Sequence, residues 1–381
     1  MISTAEKARR LFFKKVDNCY WNPKLEIVEL PNGDRTVIAN DPIKEGSVLV
    51  VLNKDTAFSN DKAKQLSKYS LEGLDESLVI PAYLYQFYTK QIDNAPFGYE
   101  HYFNALPTYG WYAENHLLLK TYLENQDADL KALGSNLFLI NKIISLIEWI
   151  TDIDELNHTF NRDEAIRSVL ICATRSWSSI GLVPWIDFFN HSYNGSLLSN
   201  EGTTIEATHA YEKGEQVNTS YGPKDSLQLL SIYGFVADEK TVTIYRPNIS
   251  PLAPAIDDEI KKYQAFAEEY PFLLGTELNN FDSFIAHFRL SALKKYDLFY
   301  VNNLEQDYKQ IINVENEYQA LKLALFCVSE TEKHLSGIVE QITSVIKSVP
   351  REFQEDFDAK ATIINTVRER IRDYWNSLIS V

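Results

Sequence analysis

The chain has 381 residues, 45% hydrophobic and 24% charged, enough for two globular domains that each bury a core, which excludes a disordered or fibrous protein. Its 53 acidic against 37 basic side chains give a formal net charge of −16, which disfavours broad attraction to nucleic-acid phosphates and favours cationic partners. Cys19, Cys172 and Cys327 stand far apart with no CxxC pair, so a disulfide framework and a cysteine zinc site are both excluded and a reducing compartment is expected.

The first residues, MISTAEKARRLFFKK, contain no apolar run followed by a small-residue cleavage site, and nowhere do about 18 apolar residues follow one another. The expectation is a soluble cytoplasmic or nuclear protein with no membrane segment. Residues 25–52 (LEIVELPNGDRTVIANDPIKEGSVLVVL) are rich in β-branched side chains and interrupted by Pro31-Asn32-Gly33-Asp34 and Lys44-Glu45-Gly46. That pattern predicts short strands joined by tight turns. From about 65 to 170 the texture becomes helical: Leu137, Phe138, Ile140, Ile143, Ile144 and Ile147 recur at helical spacing, and residues 78–88 form another apolar run. Strand texture returns in residues 203–210, 216–220 and 241–245, with Glu212-Lys213-Gly214-Glu215 as a turn. Beyond Pro247, Pro251 and Pro254 the chain reads as helix almost to its end, with Leu335, Ile338, Val339, Ile342, Val345 and Ile346 on one stripe. A domain boundary is expected near 248. The fold class is therefore α+β: a β core split by a helical insert (1–247), then an all-helical domain (248–381).

The densest polar cluster in apolar surroundings is VPWIDFFNH, where Asp187, Asn190 and His191 stand among Trp185, Ile186, Phe188 and Phe189. Polar groups so flanked are either knitted into the structure or bind a ligand, because a buried polar group needs a partner. Two Tyr-Gly pairs follow, Tyr221-Gly222 and Tyr233-Gly234. A tyrosine brings an apolar ring with a polar tip, and a following glycine allows close approach to a ligand; with 22 tyrosines in the chain, core tyrosines at strand ends are the plainer alternative. A hydrolase using Asp187, His191 and Ser192 lacks a Gly-x-Ser-x-Gly elbow, and no HExxH or comparable metal spacing occurs.

The order Thr174-Arg175-Ser176-Trp177, Asn190-His191-Ser192, the strand and turn at 210–217, Tyr221-Gly222 and Tyr233-Gly234-Phe235-Val236 resembles the SET-domain protein lysine methyltransferases of the Rubisco large-subunit methyltransferase type. Asn316-Glu317 and the helix after it look like that family's C-terminal substrate-binding domain. The departures are Gly33-Asp34-Arg35-Thr36 in place of the usual Gly-x-Gly cofactor loop, and Tyr99 in place of a tryptophan ahead of Tyr102 to Pro107.

The resemblance implies S-adenosyl-L-methionine as cofactor, held by Gly33, Asp34, Arg35, Arg175, Asn190, His191, Tyr221 and Phe235. It implies Tyr221 as the catalytic residue, and Thr174, Arg175, Asp187 and Tyr233 around the substrate amine, with no metal. His191 is read as a structural imidazole rather than a general base. The partner implied is a basic protein, foremost a large-subunit ribosomal protein such as the stalk-base protein that fungal relatives methylate, with no direct nucleic acid and a monomeric enzyme. A protein-histidine methyltransferase and an inactive SET-like scaffold are the alternatives.

Overall fold

The structure, a computed structural model, describes residues 3–14, 16–31, 33–92, 98–124, 138–177, 180–196, 204–222, 224, 226–235, 241–244, 272–275, 278, 280–293, 309–345, 349 and 351–379. It divides into two units. The first comprises residues 1–124, 134–222 and 231–234, and the second 125–133, 223–230 and 235–381.

In the first unit, α1 (Thr4–Phe13) starts on Ser3, whose hydroxyl accepts the Glu6 amide. Glu6, fully buried, pairs with Arg9 and accepts the Ile27 amide, which pins α1 to β2 (Leu25–Glu29). β2 pairs antiparallel with β3 (Arg35–Ala39), from Leu25 opposite Ala39 to Glu29 opposite Arg35. The turn between them needs Gly33, which sits at φ +77 where a side chain is strained. A three-stranded antiparallel sheet holds β1 (Tyr20–Trp21), β4 (Val48–Val51) and β8 (Thr204–Glu206), in the order β1-β4-β8.

The insert between β4 and the rest of the β material is helical, as its periodicity predicts: α2 (Asn60–Leu66), α3 (Glu76–Tyr88), α4 (Tyr99–Ala105), α5 (Tyr109–Asn115), α6 (Leu117–Glu124), α7 (Phe138–Thr151), α8 (Asp154–Asn157) and α9 (Arg162–Arg175). Its aromatic core is dense. Phe58, Tyr83, Tyr99 and Phe103 meet with ring centres 4.8 to 6.3 Å apart, a spacing at which tilted and edge-on pairs add to the area they bury. α9 runs directly into β5 (Ser176–Trp177), which turns back as β6 (Gly181–Leu182).

Residues 216–220, expected as a strand, form isolated bridges instead: Gln216 with Ile38, and Thr219 in parallel with both His191 and Ser196, the two ends of β7 (His191–Ser196). The segment changes partner every two or three residues, so no continuous ladder forms. The clasp is tight: a Cβ on Gly195 would lie 2.6 Å from the Thr219 carbonyl carbon.

The second unit is mainly helical and includes one two-stranded sheet, β9 (Thr241–Ile244) with β10 (Phe272–Gly275), where an all-helical domain was expected. This pairing draws β9 into the second unit, so the division falls ahead of the boundary expected near 248. α10 (Ser226–Tyr233) is shared between the two units, and α11 (Phe281–Ser291), α12 (Val314–Val345) and α13 (Arg351–Ile379) complete the fold. Val242, Ile244, Phe284, Phe288, Ala324, Val328, Ile364 and Val367 belong to its core. Of the apolar stripe expected around 335–346, Leu335 and Ile338 pack into or are buried by this unit, whereas the side chains of Ile342, Val345 and Ile346 lie outside the described residues.

Candidate active site

Three short segments of the first unit converge: the C-terminal end of α9, the turn at 185–191 and the clasped segment 218–222. Trp185 opens the turn in the left-handed region at φ +72, a conformation that costs a non-glycine residue about 1–2 kcal/mol. Its indole is fully buried with ring centres 5.6 Å from Tyr102 and 5.4 Å from Phe188, and that packing holds the turn. The next turn of 3-10 helix carries Asp187 inward.

Arg175, the last residue of α9, donates from one terminal nitrogen to the Asp187 carbonyl at 2.7 Å and to its carboxylate at 3.1 Å. Tyr102 donates to the same carboxylate oxygen at 3.0 Å. The other carboxylate oxygen, Oδ1, and the Arg175 Nε are both buried without a hydrogen-bond partner. Burial works against the Arg175 charge, but the Asp187 carboxylate and the surrounding phenols raise its affinity for the proton above the usual guanidinium value. Burial raises the Asp187 carboxyl above the usual carboxylate range, with Arg175 and Tyr102 pulling the other way. Arg35 lies close enough to feel both: burial, then the Arg175 charge, lower it. It is held by the Ala105 carbonyl. On the other side of Arg175, the Thr174 hydroxyl shares a hydrogen bond of 3.0 Å with the Tyr112 hydroxyl and donates to the Leu170 carbonyl at 2.7 Å.

Tyr221 stands where these parts meet. Its hydroxyl donates to the Phe189 carbonyl at 2.9 Å, and its ring centre lies 4.6 Å from that of Tyr233 and 5.1 Å from that of His191. Its backbone N–H donates to His191 Nδ1 at 3.1 Å. That bond assigns the imidazole proton to Nε2 and gives His191 a structural task. Asn190 contributes its carbonyl, which accepts the Thr219 amide at 2.9 Å. Burial raises the Tyr221 phenol above its usual range and pushes Tyr233 up to about 12, so both hydroxyls keep their protons at neutral pH.

The structure thus brings together Thr174, Arg175, Asp187, Asn190, His191, Tyr221 and Tyr233. Asp34 is near enough to Tyr221 for its charge to be felt there. Gly33 packs beside Trp111 of α5, so it stands at the insert as well as in a hairpin turn. Phe235 is half-buried and counts with the second unit, so it is not part of the site described. The glycine of the second Tyr-Gly pair serves a different purpose from the one its sequence suggested. A Cβ on Gly234 would fall 2.3 Å from the His116 ring, and the Gly234 carbonyl accepts the Leu117 amide at 2.9 Å. A histidine of the insert, and not a ligand, approaches that backbone. The residues missed in the sequence are Tyr102, Tyr112 and His116, which lie far from their partners along the chain. Among the described residues no group of histidine, cysteine, aspartate and glutamate is arranged to hold a metal ion, and no helix is long and apolar enough to cross a membrane.

The fold is that of the SET-domain Rubisco methyltransferase structures. Solved structures of Rubisco LSMT bound to sinefungin and monomethyllysine, and of its SET domain bound to lysine and AdoHcy, superpose with TM-scores of 0.51 and 0.52 at 17% identity. Each match covers 100% of this chain and 94% of the other. In sequence, the chain is 32% identical over 94 residues to the ribosomal lysine N-methyltransferase set11 of Schizosaccharomyces pombe, a stretch covering 24% of this chain and 23% of that relative. The chain therefore aligns with less than a quarter of that relative's length. No family model matches the sequence.

Proposed function

We propose that this chain is an S-adenosylmethionine-dependent protein-lysine N-methyltransferase acting on a basic protein, foremost a large-subunit ribosomal protein. The observation that carries the reading is the junction at Tyr221: a half-buried phenol hydrogen-bonded to the Phe189 carbonyl, walled by Tyr233 and His191. The names of the relatives support it. The Schizosaccharomyces pombe relative is a ribosomal lysine methyltransferase, and the superposed Rubisco enzyme has been solved with lysine, with monomethyllysine and with AdoMet.

The residues present fit the cofactor. A buried guanidinium nitrogen without a partner, beside a second arginine, suits a carboxylate, and Arg175, Arg35, Asn190 and His191 would hold the molecule. Gly33 and Asp34 would complete the pocket. When bound, the cofactor would supply a methyl group on a sulfonium; a neutral amine would take that methyl as the S–C bond breaks and the thioether leaves with the electron pair.

A lysine amine in water holds its proton up to about pH 10.4 and must arrive without it to act as a nucleophile. The aromatic lining and the permanent charge of Arg175 both disfavour an ammonium at the reacting position. The last carbonyls of a helix have no intrahelical partner, so those of residues 173–175 would accept hydrogen bonds from the neutral amine and orient it. Tyr221, kept as a phenol, donates to Phe189 and presents oxygen lone pairs toward the amine and the methyl group. Alignment and exclusion of water are the main contributions asked of the protein.

The chain is proposed to act as a monomer in the cytoplasm, with the nucleus as a second compartment. Cys19, Cys172 and Cys327 are free thiols, in keeping with a reducing environment. The test is incubation with methyl-labelled S-adenosylmethionine and a pool of recombinant, unmethylated large-subunit ribosomal proteins, followed by mass spectrometry. Label on a lysine is the expected result. Label on a histidine would replace the acceptor, and absence of both label and cofactor binding would favour a scaffold.

A further inference from the structure

Thr174, Arg175 and Asp187, the residues assigned to the substrate amine, are gripped from the helical insert by two phenols. The Tyr112 hydroxyl of α5 meets the Thr174 hydroxyl at 3.0 Å, and the Tyr102 hydroxyl of α4 donates to Asp187 Oδ2 at 3.0 Å. Both tyrosines are buried, at 1% and 0% exposure, so neither hydrogen bond competes freely with water. Asp187 in turn holds Arg175 through both its carboxylate and its carbonyl. One phenol therefore holds Thr174 directly, and the other holds Arg175 through Asp187.

We infer that Tyr102 and Tyr112 are positioning residues, through which the insert sets the amine-facing end of α9 and the Asp187 turn in the geometry that methyl transfer requires. The inference rests on the methyltransferase reading. Its physical basis is the sensitivity of displacement to alignment: a shift of about 1 Å in a group that orients a reactant can cost about a hundredfold in rate. Neither tyrosine needs to touch the reacting atoms for this.

Tyr83 supplies an internal control. It lies in the same aromatic core, is fully buried, and its hydroxyl has no hydrogen-bond partner. Tyr102→Phe, Tyr112→Phe and Tyr83→Phe each remove one buried hydroxyl and keep the ring. The measurements are steady-state methyl transfer to the ribosomal protein pool, titration with S-adenosylmethionine, thermal unfolding, and the pH dependence of the rate. For Tyr102→Phe and Tyr112→Phe, kcat should fall about tenfold to a hundredfold, with apparent KM for the protein pool within about twofold. Tyr83→Phe should match the wild type. Loss of the Tyr102 hydrogen bond, which favours ionised Asp187, should also move the acid limb of the rate profile to higher pH in Tyr102→Phe and leave it in place in Tyr83→Phe. Equal kcat in all three variants would overturn the inference, as would a kcat loss accompanied by an equal loss in Tyr83→Phe. A wild-type protein that transfers no methyl group would instead remove the underlying reading.

Discussion

Arg289, buried, and Arg175, half-buried, each face a carboxylate, one in each unit, and their partners are arranged differently. Arg289 engages Glu317 with two nitrogens, at 2.5 and 2.8 Å on separate carboxylate oxygens, and Tyr374 donates to the same carboxylate at 2.9 Å. Asn316 donates to the Arg289 carbonyl at 3.1 Å, so the Asn-Glu pair at the start of α12 locks it to α11. Arg175 meets Asp187 through one nitrogen only, and the pair leaves a buried donor and a buried acceptor without partners. A saturated pair is a fastening, because nothing remains for a ligand to bind. A pair with unused donors keeps hydrogen-bonding capacity in a place where leaving it unused is costly, which is the condition of a binding site.

Substitutions should separate the two arginines. Glu317→Ala strands the Arg289 charge in the second unit's interior and should cost about 3–5 kcal/mol, read as a large drop in unfolding midpoint. If it proves neutral, the fastening role is wrong. Acid should act next. His116 is 1% exposed, its Nε2 meets the Ile232 carbonyl at 3.2 Å, and burial lowers the imidazole to about 4. Between that value and the unfolded value of about 6.5, the unfolded chain binds a proton that the native chain refuses. Stability is therefore held above about pH 6.5 and lost as pH falls toward 4, by on the order of 3 kcal/mol. Denaturant titrations from pH 7 to 4 should show that slope, and His116→Gln should flatten it. Asp187→Asn should disturb folding less than Glu317→Ala and yet lower methyl transfer about a hundredfold; equal losses of stability in the two variants would erase the contrast. Smallest is Asn190→Ala, expected to weaken cofactor binding about tenfold, checked by calorimetric titration.

Much of the fold was legible because its signals are local. The β-branched runs and turns of 25–52, the helical period of the insert and the apolar flanks of Asp187 and His191 all lie within short windows. The site was legible as far as its members cluster in a few short segments. What escaped depends on contacts distant in sequence: Tyr102 reaches Asp187 across 85 positions, Tyr112 reaches Thr174 across 62, and His116 contacts Ile232 across 116. No periodicity encodes such pairs. Gly234 illustrates the same limit, since its sequence suggested room for a ligand and the structure fills that room with His116. Residues 216–220 read as strand because β propensity records a half-buried extended segment, not the partner that completes a ladder.

The most direct test is Tyr221→Phe, which removes one hydroxyl from the junction and keeps its ring packing against Tyr233 and His191. S-adenosylmethionine should bind the variant within about twofold of the wild type while labelled methyl transfer to the ribosomal protein pool falls a hundredfold or more. Near-normal turnover in the variant would contradict the role assigned to Tyr221.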